Sequence, residues 1–358
     1  MKAWMLDQPG QPLALREVDA PQPRRGAVLV NMEAVPLLSY TRDFVAGKLP
    51  YWYPPGPFSP GTNGVGRVAA VGDGVLSYRV GQRVLVNPYW IADEAVPEPE
   101  QILIGLTGMS AGSGPMLEAF PHGSLREFAE FPASTVIPLD GLDDAPAAQL
   151  ATLGKFAVPF GGLRRGRLSA GETVVINGAT GYFGSAAVLL ALSIGAARVV
   201  VLGRRADALA ALVERSGGGR RVVPVVLTGS LEQDIAAIRA ATQGGAHLAY
   251  DIVGRATDAN ATLAALRSLR RSGRMVLMGS MDSELPIVYS EMLANNWELI
   301  GHFMYTRADY QALVSLVTAG QLSLDAVNVT RFAFDDLETA IDAAGTMQGL
   351  DCTVVTRG

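Results

Sequence analysis

The segment Glu172-Thr-Val-Val-Ile-Asn-Gly178-Ala-Thr-Gly181-Tyr-Phe-Gly184-Ser-Ala-Ala-Val-Leu-Leu190 constrains the fold more than any other stretch. A β-branched run passes through spaced glycines into an alanine- and leucine-rich run. That pattern predicts a buried strand, a tight turn and a helix. A dinucleotide site needs this order. Gly181 lets the backbone approach a pyrophosphate, and Gly184 lets the helix pack closely on the strand. The helix start aims N–H groups and the positive end of its dipole at the phosphates. The first fingerprint glycine is replaced by Ala179, so the match reads Ala-x-Gly-x-x-Gly. The surroundings strengthen it. A helix over 185–194, Gly195 and the run Ala197-Arg-Val-Val-Val-Leu202 complete a strand–helix–strand unit. No Lys-Ser or Lys-Thr follows the glycines, which excludes a P-loop.

This unit lies near the middle of 358 residues, so another unit precedes it, and the length suggests two domains. Residues 1–150 read as short strands punctuated by proline and glycine, with strands at 27–34 and 66–71 and another beginning at 81–86. That is the pattern of a partly open β-barrel. After 150, strands are predicted at 173–177, 198–202, 222–227, 248–253, 274–279 and 297–304. Helices fall between them at 185–194, 206–215, 231–242 and 256–270. Such alternation predicts a parallel, doubly wound sheet. The tail 306–358, with helical stretches near 308–318 and 334–344 and a strand at 352–356, is expected to complete the first domain. The cofactor domain then spans 151–305.

The net charge of −5 argues against a nucleic-acid partner, since no basic field would attract a phosphate backbone. The single cysteine, Cys352, excludes a disulfide within the chain and fits a reducing compartment. Gly195 and Arg198 interrupt the apolar run 185–202, so helix plus strand explains it better than a membrane span. The first ten residues reach acid and turn residues too early for a signal peptide. A soluble, cytoplasmic protein is expected, with no membrane partner.

Several motifs recur in a telling order. They are Pro60-Gly-Thr-Asn-Gly64-Val-Gly66-Arg-Val-Ala-Ala-Val71-Gly72, then Val75-x-x-Tyr78-x-Val80-Gly81-Gln-Arg83-Val84, then Gly123-Ser-Leu-Arg-Glu127-Phe128. The 171–181 turn, Asp251-Ile-Val-Gly254 and Met278-Gly279-Ser280 follow. The series resembles the medium-chain dehydrogenase/reductase superfamily over nearly the whole chain. The resemblance implies an α/β fold, a doubly wound parallel Rossmann sheet plus a β-rich GroES-like catalytic domain. It also implies a nicotinamide cofactor, a small-molecule substrate and a homodimer joined through the cofactor domain. In that dimer the strand 297–304 would be a sheet edge paired with its symmetry mate. Zinc-dependent members place a cysteine near Asp43 and a histidine after Pro60-Gly61, where this chain has Tyr40 and Thr62. Asn63 replaces a common glutamate. The family's four-cysteine lobe would fall at 91–105, which has no cysteine, and the loop 91–120 reads as a metal-free remnant. Tyr and Thr are poor zinc ligands, so no metal is expected, and the chain resembles the zinc-free branch of quinone oxidoreductases and enoyl reductases. Short-chain dehydrogenases share the glycine turn, but their downstream Tyr-x-x-x-Lys pair is impossible because no lysine follows Lys155.

Leu202-Gly203-Arg204-Arg205 ends the second predicted strand. An acid there would hold the ribose hydroxyls of NAD, whereas a guanidinium fork matches a phosphate, so NADP (NADPH) is favoured. Solvated surface charge is the plainer reading, but cations are unfavourable at a helix start unless an anion joins them. With the resemblance, the cofactor-binding set comprises Thr180, Gly181, Tyr182, Phe183, Gly184, Gly203, Arg204, Arg205, Val253, Gly254, Met278, Gly279 and Phe303. Tyr40, Tyr51 and Tyr53 fall where the resemblance puts the nicotinamide pocket, and a phenol can donate to oxygen where charge develops. Tyr51 is the first choice as catalytic residue and Tyr40 the second, and aromatic packing is the competing reading for each. His122, His247 and His302 are scattered and suggest neither metal pair nor triad, although family position brings 302–304 towards the nicotinamide. Ser110 and Ser113 read as part of a flexible loop. The expected activity is NADPH-dependent, zinc-free hydride transfer to a small conjugated carbonyl or quinone. A zinc-independent alcohol dehydrogenase or ketone reductase is the second expectation, and a non-catalytic NADPH-binding protein the third.

Overall fold

The computed structural model describes residues 1–92, 96–254 and 256–357. Asp93, Glu94 and Ala95, in the loop read as a metal-free remnant, thus lie outside the described residues. The chain forms two compact units. One comprises 1–154, 327–347 and 351–358, and the other 155–326 and 348–350.

The first unit is the GroES-like domain. Its seven-stranded sheet is organised around Ala27–Pro36, whose side chains are buried on both faces for most of its length. This strand pairs antiparallel with Gly64–Val71, Phe128–Pro132 and, at its far end, Asp351–Thr356. The core joins Leu6, Val30, Phe58 and Phe131 to Leu337 and Ile341 from the tail. The stretch 108–114, read as a flexible loop, is held by its surroundings. Tyr89–Ile91, Gln101–Leu103 and Thr107–Gly108 make a small antiparallel sheet. Glu100 then anchors the following turn, accepting from Ser110 Oγ at 2.8 Å and from Ser113 Oγ at 3.2 Å. The serines read as loop residues are therefore the pins of that turn.

The second unit is the Rossmann sheet. Its six parallel strands lie in the order Val222–Val226, Arg198–Gly203, Thr173–Asn177, Ala246–Asp251, Leu269–Leu277, Glu298–Gly301. In chain order this is third, second, first, fourth, fifth, sixth, the doubly wound arrangement. Continuous apolar strands such as Val174–Ile176 and Val199–Leu202 are wholly buried because helices cover both faces.

Two expected boundaries shift. The helix Arg307–Thr318 belongs to the second unit, which extends to 326 instead of ending at 305. It buries Tyr310 and Leu313, sets Tyr310 edge-on to Tyr305, and pairs Asp309 with Arg164 at 3.1 Å. The helix expected over 256–270 spans only Asn260–Arg267, because the chain enters the fifth strand at Leu269.

Candidate active site

In the second unit the glycine turn is set by local sterics. Gly178 adopts φ +81°, a left-handed conformation that glycine takes without strain. Ala179 replaces the first fingerprint glycine, and Gly178, one residue earlier, makes the tight turn. Gly184 is the most constrained position, since a Cβ there would lie 2.0 Å from the Gly178 carbonyl oxygen. Gly181 is less crowded. A Cβ there would stand 3.2 Å from the same oxygen, a tight contact but not the overlap at Gly184. The helix begins at Tyr182 with Gly181 as a cap that offers no side chain. An unshielded helix start over a Cβ-free turn fits a pyrophosphate.

The other expected cofactor residues gather at the carboxyl ends of the same strands, where ligands bind in doubly wound sheets. Gly203 closes the second strand and Arg204 and Arg205 follow it, both exposed. Arg205 is engaged by Asp207 at 3.1 Å and by Gln348 at 3.3 Å. Arg204 has no hydrogen bond or ion pair within the described residues, so it is the better placed of the two for a ligand phosphate. Val253 and Gly279 lie against each other, because a Cβ on Gly279 would sit 2.1 Å from the Val253 carbonyl oxygen. Gly254 has room, with Ser280 Oγ 3.9 Å from its Cβ position. The Met278 sulfur accepts from the Tyr250 hydroxyl at 3.5 Å, so the side chain also packs against the fourth strand. Phe303 is half exposed beyond the sixth strand, and the neighbouring His302 Nε2 is buried with no hydrogen-bond partner among the described residues.

Two polar features of this unit were not singled out from sequence. Lys155 is fully buried, donates to the Gly349 carbonyl at 2.7 Å and lies 3.6 Å from the centre of the Tyr182 ring. Gly349 in turn donates to the Thr180 carbonyl at 3.2 Å, so this lysine and the 348–350 segment brace the turn. The signal was one charge inside the apolar run 153–160. Asp251 is buried at the switch between the first and fourth strands. It accepts from Asn177 Nδ2 at 2.8 Å and from Thr262 Oγ1 at 2.7 Å. Burial raises its carboxyl pKa, and those bonds oppose the rise.

In the first unit, a pocket is lined by Leu38, Tyr40, Phe44, Gly61, Thr62 and Leu106, among others. It forms where the chain leaves the Ala27–Pro36 strand and turns into the short helix Thr41–Val45. The tyrosines divide here. Tyr53 stacks on Phe44, with ring centres 4.9 Å apart, and donates its hydroxyl to the Phe44 carbonyl at 3.0 Å. Packing is its role. Tyr40 and Tyr51 instead lie near enough for each phenol to influence the other's ionisation. Burial pushes both phenols above the ordinary tyrosine range, Tyr40 far above it. For Tyr51 the rise is partly offset, because the nearby Tyr40 hydroxyl favours charge on its oxygen. Thr62 and Asn63 are buried beside the pocket floor. Among the described residues no group of three or more His, Cys, Asp and Glu is placed to hold a metal ion, and Cys352 is buried in a strand. A catalytic zinc needs three such ligands and an open position, so the donor set here does not fit that ion.

Residues 24–141 match the model of the alcohol dehydrogenase GroES-like domain, and residues 183–319 that of the zinc-binding dehydrogenase family. An alcohol dehydrogenase of Moraxella sp. strain TAE123 is 30% identical over 327 residues, 90% of each chain. An acryloyl-coenzyme A reductase of Metallosphaera sedula is 26% identical over 330 residues, again 90% of each. In fold, the chain is similar to 2R,3R-butanediol dehydrogenase from Bacillus subtilis, with a TM-score of 0.80 and 20% identity. That match covers 100% of this chain and 99% of that one.

Proposed function

The chain belongs to the medium-chain dehydrogenase/reductase superfamily of oxidoreductases, and from that premise we propose that it interconverts an alcohol and a carbonyl compound, using a nicotinamide dinucleotide and no zinc. The neighbouring phenols Tyr51 and Tyr40, the second lining a pocket with no metal-ligand group among the described residues, carry this reading. When bound, the dinucleotide supplies or accepts the hydride. Gly178, Gly181 and Gly184 hold its pyrophosphate at the start of the 182–194 helix, and Lys155 keeps Tyr182 in place there. Tyr51 donates to the substrate oxygen. As that oxygen gains charge and draws the Tyr51 proton, the Tyr40 hydroxyl donates to the Tyr51 oxygen and stabilises the pair.

A conjugated carbonyl or quinone acceptor, set first on sequence grounds, becomes the second reading. The curated relatives include several named alcohol dehydrogenases, but the acryloyl-coenzyme A reductase among them favours keeping it. A conjugated acceptor spreads incoming charge, so hydrogen bonds alone suffice. The test is turnover of NADPH and NADH against ketones, aldehydes, enones, enoyl thioesters and quinones, and of the oxidised cofactors against alcohols. Each assay is run before and after dialysis against a chelator. Turnover of alcohol–ketone pairs unaffected by the chelator supports the proposal. Activity lost on chelation and restored by zinc overturns it, and turnover confined to conjugated acceptors selects the second reading. Cofactor binding without turnover on any of them leaves the non-catalytic alternative.

NADPH is proposed to bind more tightly than NADH, with Arg204 on the 2′-phosphate. One charged hydrogen bond is worth about 1.5–3 kcal/mol, so Arg204→Ala is expected to weaken NADPH roughly tenfold or more and leave NADH unchanged. Titration of cofactor fluorescence checks both. Arg205→Ala should do less, because that side chain already serves Asp207 and Gln348. An unchanged NADPH/NADH ratio in Arg204→Ala rejects the assignment.

A homodimer through the sheet edge is also proposed. Glu298–Gly301 pairs on one side only among the described strands, and Leu299, Leu293 and Tyr289 near it are exposed. An open apolar edge calls for cover. Sedimentation at micromolar concentration is expected to give twice the 37.7 kDa chain mass, and Gly301→Pro to give single chains. A wild-type mass of one chain refutes the dimer.

A further inference from the structure

A second cavity in the first unit shares no lining residue with the tyrosine pocket. Its volume is about 290 Å³, and its polar lining is Asp19, Arg24, His122, Arg126 and Glu130. Arg126 is only 5% exposed, and its Nε–H has no hydrogen-bond partner among the described residues. A buried guanidinium donor left unmade is costly, and an apolar side chain would be cheaper at such a site. The nearest acid does not serve it. Glu130 accepts from the backbone N–H of Arg24 at 2.6 Å and from its guanidinium at 2.8 and 3.0 Å. Asp19 is on the exposed rim. His122 accepts the Ser59 N–H at its Nδ1, 3.2 Å away, so its neutral ring carries its proton on Nε2. The uncommitted groups of this cavity are therefore donors. Its walls are apolar, with Met5, Phe120 and Pro121 among them, and the Arg24 guanidinium lies 4.3 Å from the centre of the Phe120 ring.

We propose that this cavity is a binding site for a small organic anion, with a carboxylate or phosphate head on Arg126 and a flat or alkyl body against Phe120. The head accepts from the Arg126 Nε–H, with Arg24 at the rim and His122 Nε2 as further donors. The field inside already has the sign that an anion needs. The His122 imidazole is held down to about 4, by burial first and then by the Arg126 and Arg24 charges. Burial likewise lowers the Arg126 guanidinium to about 10, with Glu130 opposing. An anion between them reverses both effects, so it binds better when His122 is protonated and raises the imidazole's midpoint.

The chain has three histidines, so imidazole resonances of histidine-labelled full-length protein report on His122 directly once His122→Gln has assigned it. The probes are benzoate, phenyl phosphate and inorganic phosphate, with benzyl alcohol and benzylamine as neutral and cationic controls. Benzoate or phenyl phosphate is expected to shift the His122 resonance saturably and raise its midpoint by about one unit, which is about tenfold preference for the protonated form. Whichever of the two acts more strongly identifies the head group, and a response to inorganic phosphate alone shows that no organic body is held. Arg126→Gln should abolish the response. Should that variant fold poorly, Arg24→Gln, at a half-exposed side chain, should weaken it severalfold with the fold intact. The proposal is overturned if no anion gives a saturable shift, if benzylamine or benzyl alcohol gives the same one, if only inorganic phosphate responds, or if Arg24→Gln and Arg126→Gln leave the response unchanged.

Discussion

Tyr51→Phe is expected to lower turnover roughly 10²-fold, the usual loss when one donor to a developing oxyanion is removed. Cofactor affinity should stay close to wild type, since the glycine turn is untouched. Phenylalanine keeps the ring, and the partly buried Tyr51 ring packs 6.3 Å from both Phe44 and Tyr53, so the substitution separates chemistry from packing. Tyr40→Phe should have a smaller effect, because Tyr40 acts on the substrate only through Tyr51. The double substitution should cost little more than Tyr51→Phe, as befits two groups acting as one. Burial holds both phenols protonated above the ordinary tyrosine range. The pH–rate profile should therefore show no tyrosine ionisation through the neutral range, and the same flatness is expected of the Tyr40→Phe variant. Full turnover in Tyr51→Phe would reduce the pair to packing.

Gly184→Ala is expected to abolish dinucleotide binding and to destabilise the second unit. The added methyl would meet the Gly178 carbonyl at 2.0 Å, and a backbone atom cannot turn aside as a side chain can. Overpacking of this kind costs about 3 kcal/mol or more, which lowers the thermal midpoint by roughly 6–12 °C in a unit of this size. Gly181→Ala is the control. Its nearest contact is 3.2 Å, tight rather than overlapping, so it should lose less thermal stability than Gly184→Ala and lose affinity through the space taken from the pyrophosphate. Calorimetry with and without cofactor measures both. Equal melting of Gly184→Ala and wild type would show that the helix shifts freely on the turn.

The second unit was the more legible from sequence, and the reason is physical. Its strands are buried on both faces, so they stand out as unbroken runs such as Val199-Val-Val-Leu202, bounded by glycine. Its turn is set by contacts within seven residues. Spacing marked Gly181 and Gly184, and the resemblance added Thr180, Tyr182, Phe183, Gly203 and positions near 253 and 279, which follow strand ends of this sheet. Sequence left open which residue makes the tight turn, a role that its positive φ gives to Gly178. It also missed Lys155, whose partners Tyr182 and Gly349 are distant in the chain. The first unit was harder. The tyrosines were found by residue type and resemblance, but Tyr53 and Tyr51 differ in what surrounds their hydroxyls, a backbone carbonyl in one case and the neighbourhood of another phenol in the other. The stretch 108–114 looked flexible because its order comes from Glu100 holding two serines, a link that composition cannot display. Arg126 and His122 sat inside recognised or turn-like stretches, and nothing local marks a guanidinium that the fold leaves without an acceptor.

The return of the tail into the first sheet has a consequence for synthesis. Asp351–Thr356 lies between Ala27–Pro36 and Asn328–Ala333, with Val355 opposite Val35 and Phe332. A chain emerging from the ribosome has all of 155–326 available well before this strand, and every strand of the Rossmann sheet lies within that span. The second unit can thus reach its native pairing while the first still lacks an inner strand. Until then Ala27–Pro36 carries unpaired backbone along part of one edge, a surface that recruits other strands. Nascent-chain aggregation should accordingly be governed by the time between translation of residue 36 and residue 356, which slow codons placed within 155–326 would lengthen.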